Sequence, residues 1–128
     1  MTPAPRRKAV TRESSGRSDF MEIKDKDFKK EVLESERPVL VDFWGSWCIP
    51  CKRMEEIMEK LCGEYDKKVK FVSLNVNRNP VTSQKYDVLG VPCFMLFHKG
   101  QILAREVGAK SENQLRIFLE KCTGGVLN

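Results

Sequence analysis

Cys48 and Cys51 stand two residues apart where a strand-like run gives way to a helix-like one, and that junction limits the folds open to this chain. Ahead of them, Val39-Leu40-Val41-Asp42-Phe43-Trp44 is almost continuously apolar, the pattern of a strand buried on both faces. Behind them, Cys51, Met54, Met58, Leu61, Cys62 and Tyr65 recur at three- and four-residue steps, one stripe of an amphipathic helix. A buried strand feeding directly into such a helix belongs to a layered α/β fold. Two thiols opening that helix can cycle between dithiol and disulfide; a structural thiol pair or half of a metal site are the alternatives.

The remaining elements follow from period and punctuation. Phe20 to Ile23 is a short strand, and Asp25 is placed to cap a helix over 26–36 with Phe28 and Val32 on its inner face. Pro38 ends that helix. After the strand at 39–44 and the helix at 48–65, residues 69–76 alternate as a strand, and Asn79-Pro80 turns into a short helix over 80–87. Phe94 to Phe97, the Lys99-Gly100 turn and Ile102 to Val107 form a hairpin that Gly108 interrupts. Ser111-x-x-Gln114 is a capping box, and Leu115, Phe118, Leu119 and Cys122 make the inner face of a last helix. The order β-α-β-α-β-α-β-β-α predicts an α/β fold: a central mixed sheet flanked by helices on both faces, three strands parallel and the end antiparallel.

Charge separates a tail from this body. Residues 1–19 hold five Arg and Lys against two acids, +3 of the chain's +5, with Pro, Gly, Ser and Thr and few apolar residues. Such a segment cannot bury enough surface to offset its ordering entropy, so 1–19 reads as a disordered basic tail and 20–124 as one domain. A solubilising tail is the expected role, ahead of an anionic partner or a transit peptide. No stretch approaches the roughly 20 apolar residues of a membrane span, and no apolar segment follows Arg6-Arg7 as a secretory signal requires. The five cysteines show no paired framework, and His98 is the sole histidine, so a zinc site lacks ligands. A cytoplasmic protein with a redox dithiol, no bound cofactor or metal, and no nucleic-acid or membrane partner is the resulting expectation.

Local electrostatics distinguish the two thiols. A helix N-terminus carries unsatisfied N–H groups and roughly half a positive charge, which favours the Cys48 thiolate as nucleophile. Cys51, one turn inside, is placed to resolve a mixed disulfide. Pro50 is tolerated because a first-turn N–H lacks an intrahelical partner anyway. Asp42 interrupts the apolar strand, where burial disfavours its charge and suits it to act as acid/base for the resolving thiol. A strand-end, water-facing Asp is the plainer alternative.

Val41 to Lys52, Val-Asp-Phe-Trp-Gly-Ser-Trp-Cys-Ile-Pro-Cys-Lys, resembles the active-site signature of the thioredoxin family. Leu74 to Asn77, Asn79-Pro80, Gly90-Val91-Pro92, Phe97 with Gly100, and Val107-Gly108-Ala109 match further landmarks of that family in order and spacing, so the resemblance spans about 20–122. It implies the thioredoxin fold, a cis-proline at Pro92 facing the dithiol, and Asp42 as the family's buried acid. It also implies an apolar surface of Trp47, Gly90, Val91, Gly108 and Ala109 around Cys48, rimmed by Ile49 and Pro50, on which protein disulfides dock. The implied activity is reduction of protein disulfides by a monomer, with electrons from thioredoxin reductase or an equivalent donor. A more oxidising disulfide-forming or isomerising relative, and an iron–sulfur or metal-binding module on the same cysteines, stand as alternatives.

Three positions depart from the pattern. Ile49 replaces the usual glycine between the cysteines, which stiffens the loop and widens the apolar rim. Ser73 stands where a lysine commonly neighbours the buried acid. Cys93 follows Pro92 where threonine is usual, and is expected either near the dithiol as an accessory thiol or as a small buried hydrophobe. Cys62 and Cys122 are expected as inert core residues.

Overall fold

Every residue of β2 (Val39–Trp44) is buried, because this strand runs through the middle of a five-stranded sheet. The computed structural model describes residues 20–65 and 67–123, with the side chains of Cys122 and Thr123 outside that description. The basic tail over 1–19, the expected domain end at 124 and the inward placement of Cys122 therefore lie outside the described residues. Beside β2 on one side lie β3 (Lys70–Asn75) and then β1 (Met21–Glu22), all three parallel. On its other side β4 (Cys93–His98) runs antiparallel to β2, and β5 (Gln101–Val107) antiparallel to β4. This is the mixed sheet expected from the order of elements.

Alternation along β2 divides its side chains between two cores. Leu40 joins Phe71, Phe94 and Leu96 on the face covered by α1 (Ile49–Tyr65), through Met54, Met58, Leu61 and Cys62, and by α3 (Glu112–Thr123), through Leu115, Phe118 and Leu119. Val39, Val41 and Phe43 join Val72, Leu74, Met95 and Phe97 on the opposite face, under Phe28 and Val32 and beside Tyr86 and Val88. Asp42 and Ser73 pair across β2 and β3 and are both fully buried. Arg116 ties α3 to Glu64 on α1, and Lys60 donates to Glu112 at 3.2 Å. Pairs this exposed contribute little; the apolar faces hold the helices down.

The hairpin and the last helix form as their sequences predict. Lys99 and Gly100 both take positive φ (53° and 80°), the geometry of a tight hairpin turn. Ser111 and Gln114 exchange their capping hydrogen bonds at 2.8 and 3.0 Å. No helix among the described residues is long and apolar enough to cross a membrane.

The segment after β1 differs from expectation. In place of one helix over 26–36 there is a 3-10 turn at Asp25–Asp27 and a π turn at Lys29–Leu33. Asp25 does not cap this segment; the Asp27 carboxylate accepts the Lys24 N–H instead. The Asp25 carboxylate accepts the N–H groups of Val81 and Thr82, satisfying the first turn of α2 (Pro80–Lys85) from 56 and 57 residues away. Burial of Phe28 and Val32 outweighs the helical hydrogen-bond register in so short a stretch.

Candidate active site

At the carboxyl end of β2 the chain turns through Gly45 and Ser46 into α1, and Cys48 occupies the cap position of that helix. Its carbonyl accepts the first intrahelical N–H, from Lys52, at 3.3 Å, and its own N–H donates to Gly45 O at 3.2 Å. The Cys51 N–H points at Cys48 Sγ, 3.1 Å away, so sulfur fills the role that a capping oxygen usually plays. Cys48 and Cys51 form a disulfide, with Cα atoms 5.2 Å apart. Cys48 is partly exposed and Cys51 fully buried. When the bond is reduced, a negative charge on Cys48 Sγ would face an amide donor and the positive helix end, while Cys51 sits out of reach of an incoming protein.

The turn itself is held from the end of β3 and the turn that follows it, through side chains that the sequence did not single out. Asn77 Oδ1 accepts the Ser46 N–H at 2.7 Å, and Asn75 Nδ2 donates to Ser46 Oγ at 3.2 Å. Asn75 Oδ1 in turn accepts the N–H groups of Asn77 and Arg78. The run Leu74 to Asn77 was visible as a family landmark, but the partner of each asparagine lies about 30 positions away in sequence.

Of the expected docking residues, Val91 lies against the turn that leads into this helix. Val91 precedes Pro92 across a cis peptide bond, and Pro92 is buried with its carbonyl accepting the Gly108 N–H at 2.8 Å. A Cβ at Gly45 would lie 3.3 Å from Val91 Cγ2 and 3.7 Å from Cys48 Cβ, so the glycine lets Val91 approach the dithiol. Trp47 is 90% exposed and Ile49 62%, which rules out a core role for either. Pro50 and Ala109 are exposed, and Gly90, Val91 and Gly108 partly so. Gly108 takes φ +99°, a turn requirement in its own right. Asp42, on the sheet face under α1, is fully buried.

Cys93 does not join this group. It is 1% exposed and belongs to the opposite core, with Phe43, Met95 and Phe97. Burial pushes its thiol pKa up, Asp42 adds to the rise and Arg105 opposes it. It therefore sits as a small hydrophobe, and among the described residues no group of three or more His, Cys, Asp or Glu is arranged to hold a metal ion. Iodoacetamide at pH 7 should label the reduced, folded protein at Cys48 and leave Cys93 unmodified, with Cys93 reacting only above the ordinary thiol range of about 8.5. Mass spectrometry of the labelled peptides checks this; rapid labelling of Cys93 at neutral pH would show the thiol to be accessible and ionisable.

A disulfide capping the helix that follows a central strand, with a buried cis-proline just ahead of the neighbouring strand β4, on a β1-β3-β2-β4-β5 sheet is a known arrangement. The family model described as Thioredoxin matches residues 19–121. The chain belongs to the thioredoxin family. It is 46% identical over 102 residues to a thioredoxin of Buchnera aphidicola subsp. Schizaphis graminum, covering 80% of this chain and 94% of that protein. A thioredoxin of Pseudomonas aeruginosa is 40% identical over 101 residues, covering 79% and 94%. One of Synechocystis is 41% identical over 100 residues, covering 78% and 94%. The protein is a thiol–disulfide oxidoreductase of the protein-disulfide-reductase type, whose family activity reduces protein substrates and depends on a reductase for renewal.

Proposed function

We propose that Cys48 is the attacking thiol and Cys51 the resolving one, in a monomeric reductant of the cytoplasm served by thioredoxin reductase or an equivalent donor. The observation that carries the assignment is the Cys51 N–H aimed at the partly exposed Cys48 sulfur, with Cys51 itself buried. In the reduced protein the Cys48 thiolate attacks one sulfur of a substrate disulfide, forming a mixed disulfide and expelling the first substrate thiolate. Cys51 loses its proton and attacks Cys48 Sγ, which releases the second substrate thiol and leaves the Cys48–Cys51 disulfide. Two electrons have passed to the substrate, and its two thiolates take up one proton by way of Asp42 and one from solvent. Asp42, buried beneath α1, is suited to accept the Cys51 proton because no solvent reaches that side. Pro92, with Val91, offers an extended substrate segment a backbone edge beside the dithiol. Trp47, Ile49, Pro50, Gly90, Val91, Gly108 and Ala109 form the surface on which the segment rests.

The cycle uses the two sulfurs alone and calls on no cofactor. Cys93 takes no part, since its side chain faces the other core. The functional domain is residues 20–124, with the basic tail as a solubilising appendage. Equilibration against glutathione or a reference dithiol tests the direction of the chemistry. A reduction potential near −270 mV is expected for a reductant, whereas one near −120 to −180 mV would make the protein an oxidant or isomerase.

A further inference from the structure

Leu89 is 95% exposed, more than any other large apolar residue described. Nothing in the fold gains from a leucine there. Yet the loop that carries it is held on both sides. The Arg105 guanidinium of β5 donates to the carbonyls of Tyr86 and Asp87 at 2.8 and 3.3 Å. Val88 tucks against the core of Phe28 and Val32, its N–H bonded to Ser83 O at 2.9 Å. On the far side Val91 reaches Gly45, and Pro92 is buried. Leu89 is thus the outward apex of a pinned loop.

That apex adjoins the dithiol surface. A Cβ on the next residue, Gly90, would lie 3.4 Å from Val107 Cγ1, and Val107 is itself 52% exposed. Leu89 thus stands two residues before Val91, whose side chain reaches the turn that carries Cys48, and beside the exposed Val107. A large apolar side chain in a fixed loop costs little ordering when a partner covers it. A charged partner group brought against it would lose hydration with nothing in return.

We propose that Leu89 is a specificity-determining contact: it seats an apolar side chain flanking the attacked cysteine of a disulfide-bearing protein segment. The inference rests on the reductase reading above. Two synthetic disulfide-bridged peptides test it, one with leucines flanking the attacked cysteine and one with lysines at the same positions. The protein should reduce the leucine peptide with a kcat/KM about tenfold higher. Leu89→Ser should remove most of that preference by raising KM for the leucine peptide, with kcat within about twofold, and Leu89→Met should restore it. Ile117→Ser, which removes an exposed apolar side chain on the outer face of α3, should leave the preference intact. Undiminished preference in Leu89→Ser overturns the proposal while the reductase reading stands. A dimer in sedimentation that Leu89→Ser dissolves, with the peptide preference unmoved, also overturns it and assigns the leucine to contact between two copies. If neither peptide is reduced by the unaltered protein, the reductase reading fails and takes the proposal with it.

Discussion

Cys48→Ser should reduce turnover of a protein disulfide to background, a loss on the order of a thousandfold or more. The hydroxyl neither ionises near neutral pH nor leaves a sulfur on which a mixed disulfide can form. Cys51→Ser should stop the cycle one step later. Its Cys48 still attacks, but nothing releases the product, so a covalent complex with the substrate accumulates. Insulin reduction with dithiothreitol as electron source reads the first effect, and a non-reducing gel reads the second. Both variants should remain folded, because losing the capping sulfur or one buried thiol removes about 1–2 kcal/mol from a domain holding roughly 5–15. A covalent complex trapped by Cys48→Ser, and not by Cys51→Ser, would reverse the roles. The geometry argues for the order given: Cys48 faces the surface and receives the amide of Cys51.

Phe94→Ala should cost about 3–5 kcal/mol of folding free energy. Phe94 is fully buried in β4, opposite Asp42 on β2, in the core that seats Met54 and Met58 of α1 and Leu119 of α3. Removing the ring leaves a cavity beneath the helix that carries both active-site thiols. The sheet around it is paired on both sides and cannot collapse to fill the space. Urea unfolding should show a lower midpoint with an unchanged slope. Val81→Ser, at an exposed position on α2, should stay within about 0.5 kcal/mol of the unaltered protein. A loss under 1 kcal/mol for Phe94→Ala would mean that this core is not what holds α1 in place.

Much of this architecture was legible because strong periods survive without context. The apolar run at 39–44 can only be satisfied by neighbours on both faces, and the structure gives β2 both. The stripe from Cys51 to Leu61 is the buried face of α1 residue for residue. Local chemistry was equally readable where both partners lie within one turn, as in the Ser111–Gln114 box and the Lys99-Gly100 turn. The segment after β1 was misread for the opposite reason. Asp25 satisfies every local rule for a helix cap, yet its carboxylate is committed to α2, a partner that no neighbouring residue announces.

The active site divides along the same line. Sequence alone determined the dithiol and its place at a helix start, since both follow from spacing and hydropathy within a dozen residues; that Asp42 is buried and not water-facing was decided by the assembled sheet. Sequence left Cys93 between two roles, because which face of β4 a side chain takes depends on register with β2, and register is a property of the assembled sheet. Tertiary structure put that thiol in the far core. It also brought Asn75 and Asn77 under Ser46, and set Leu89 outward from a loop that Arg105 holds. These hydrogen bonds join residues 18 to 31 positions apart in a chain whose composition marks none of them, so only the closed fold could reveal them.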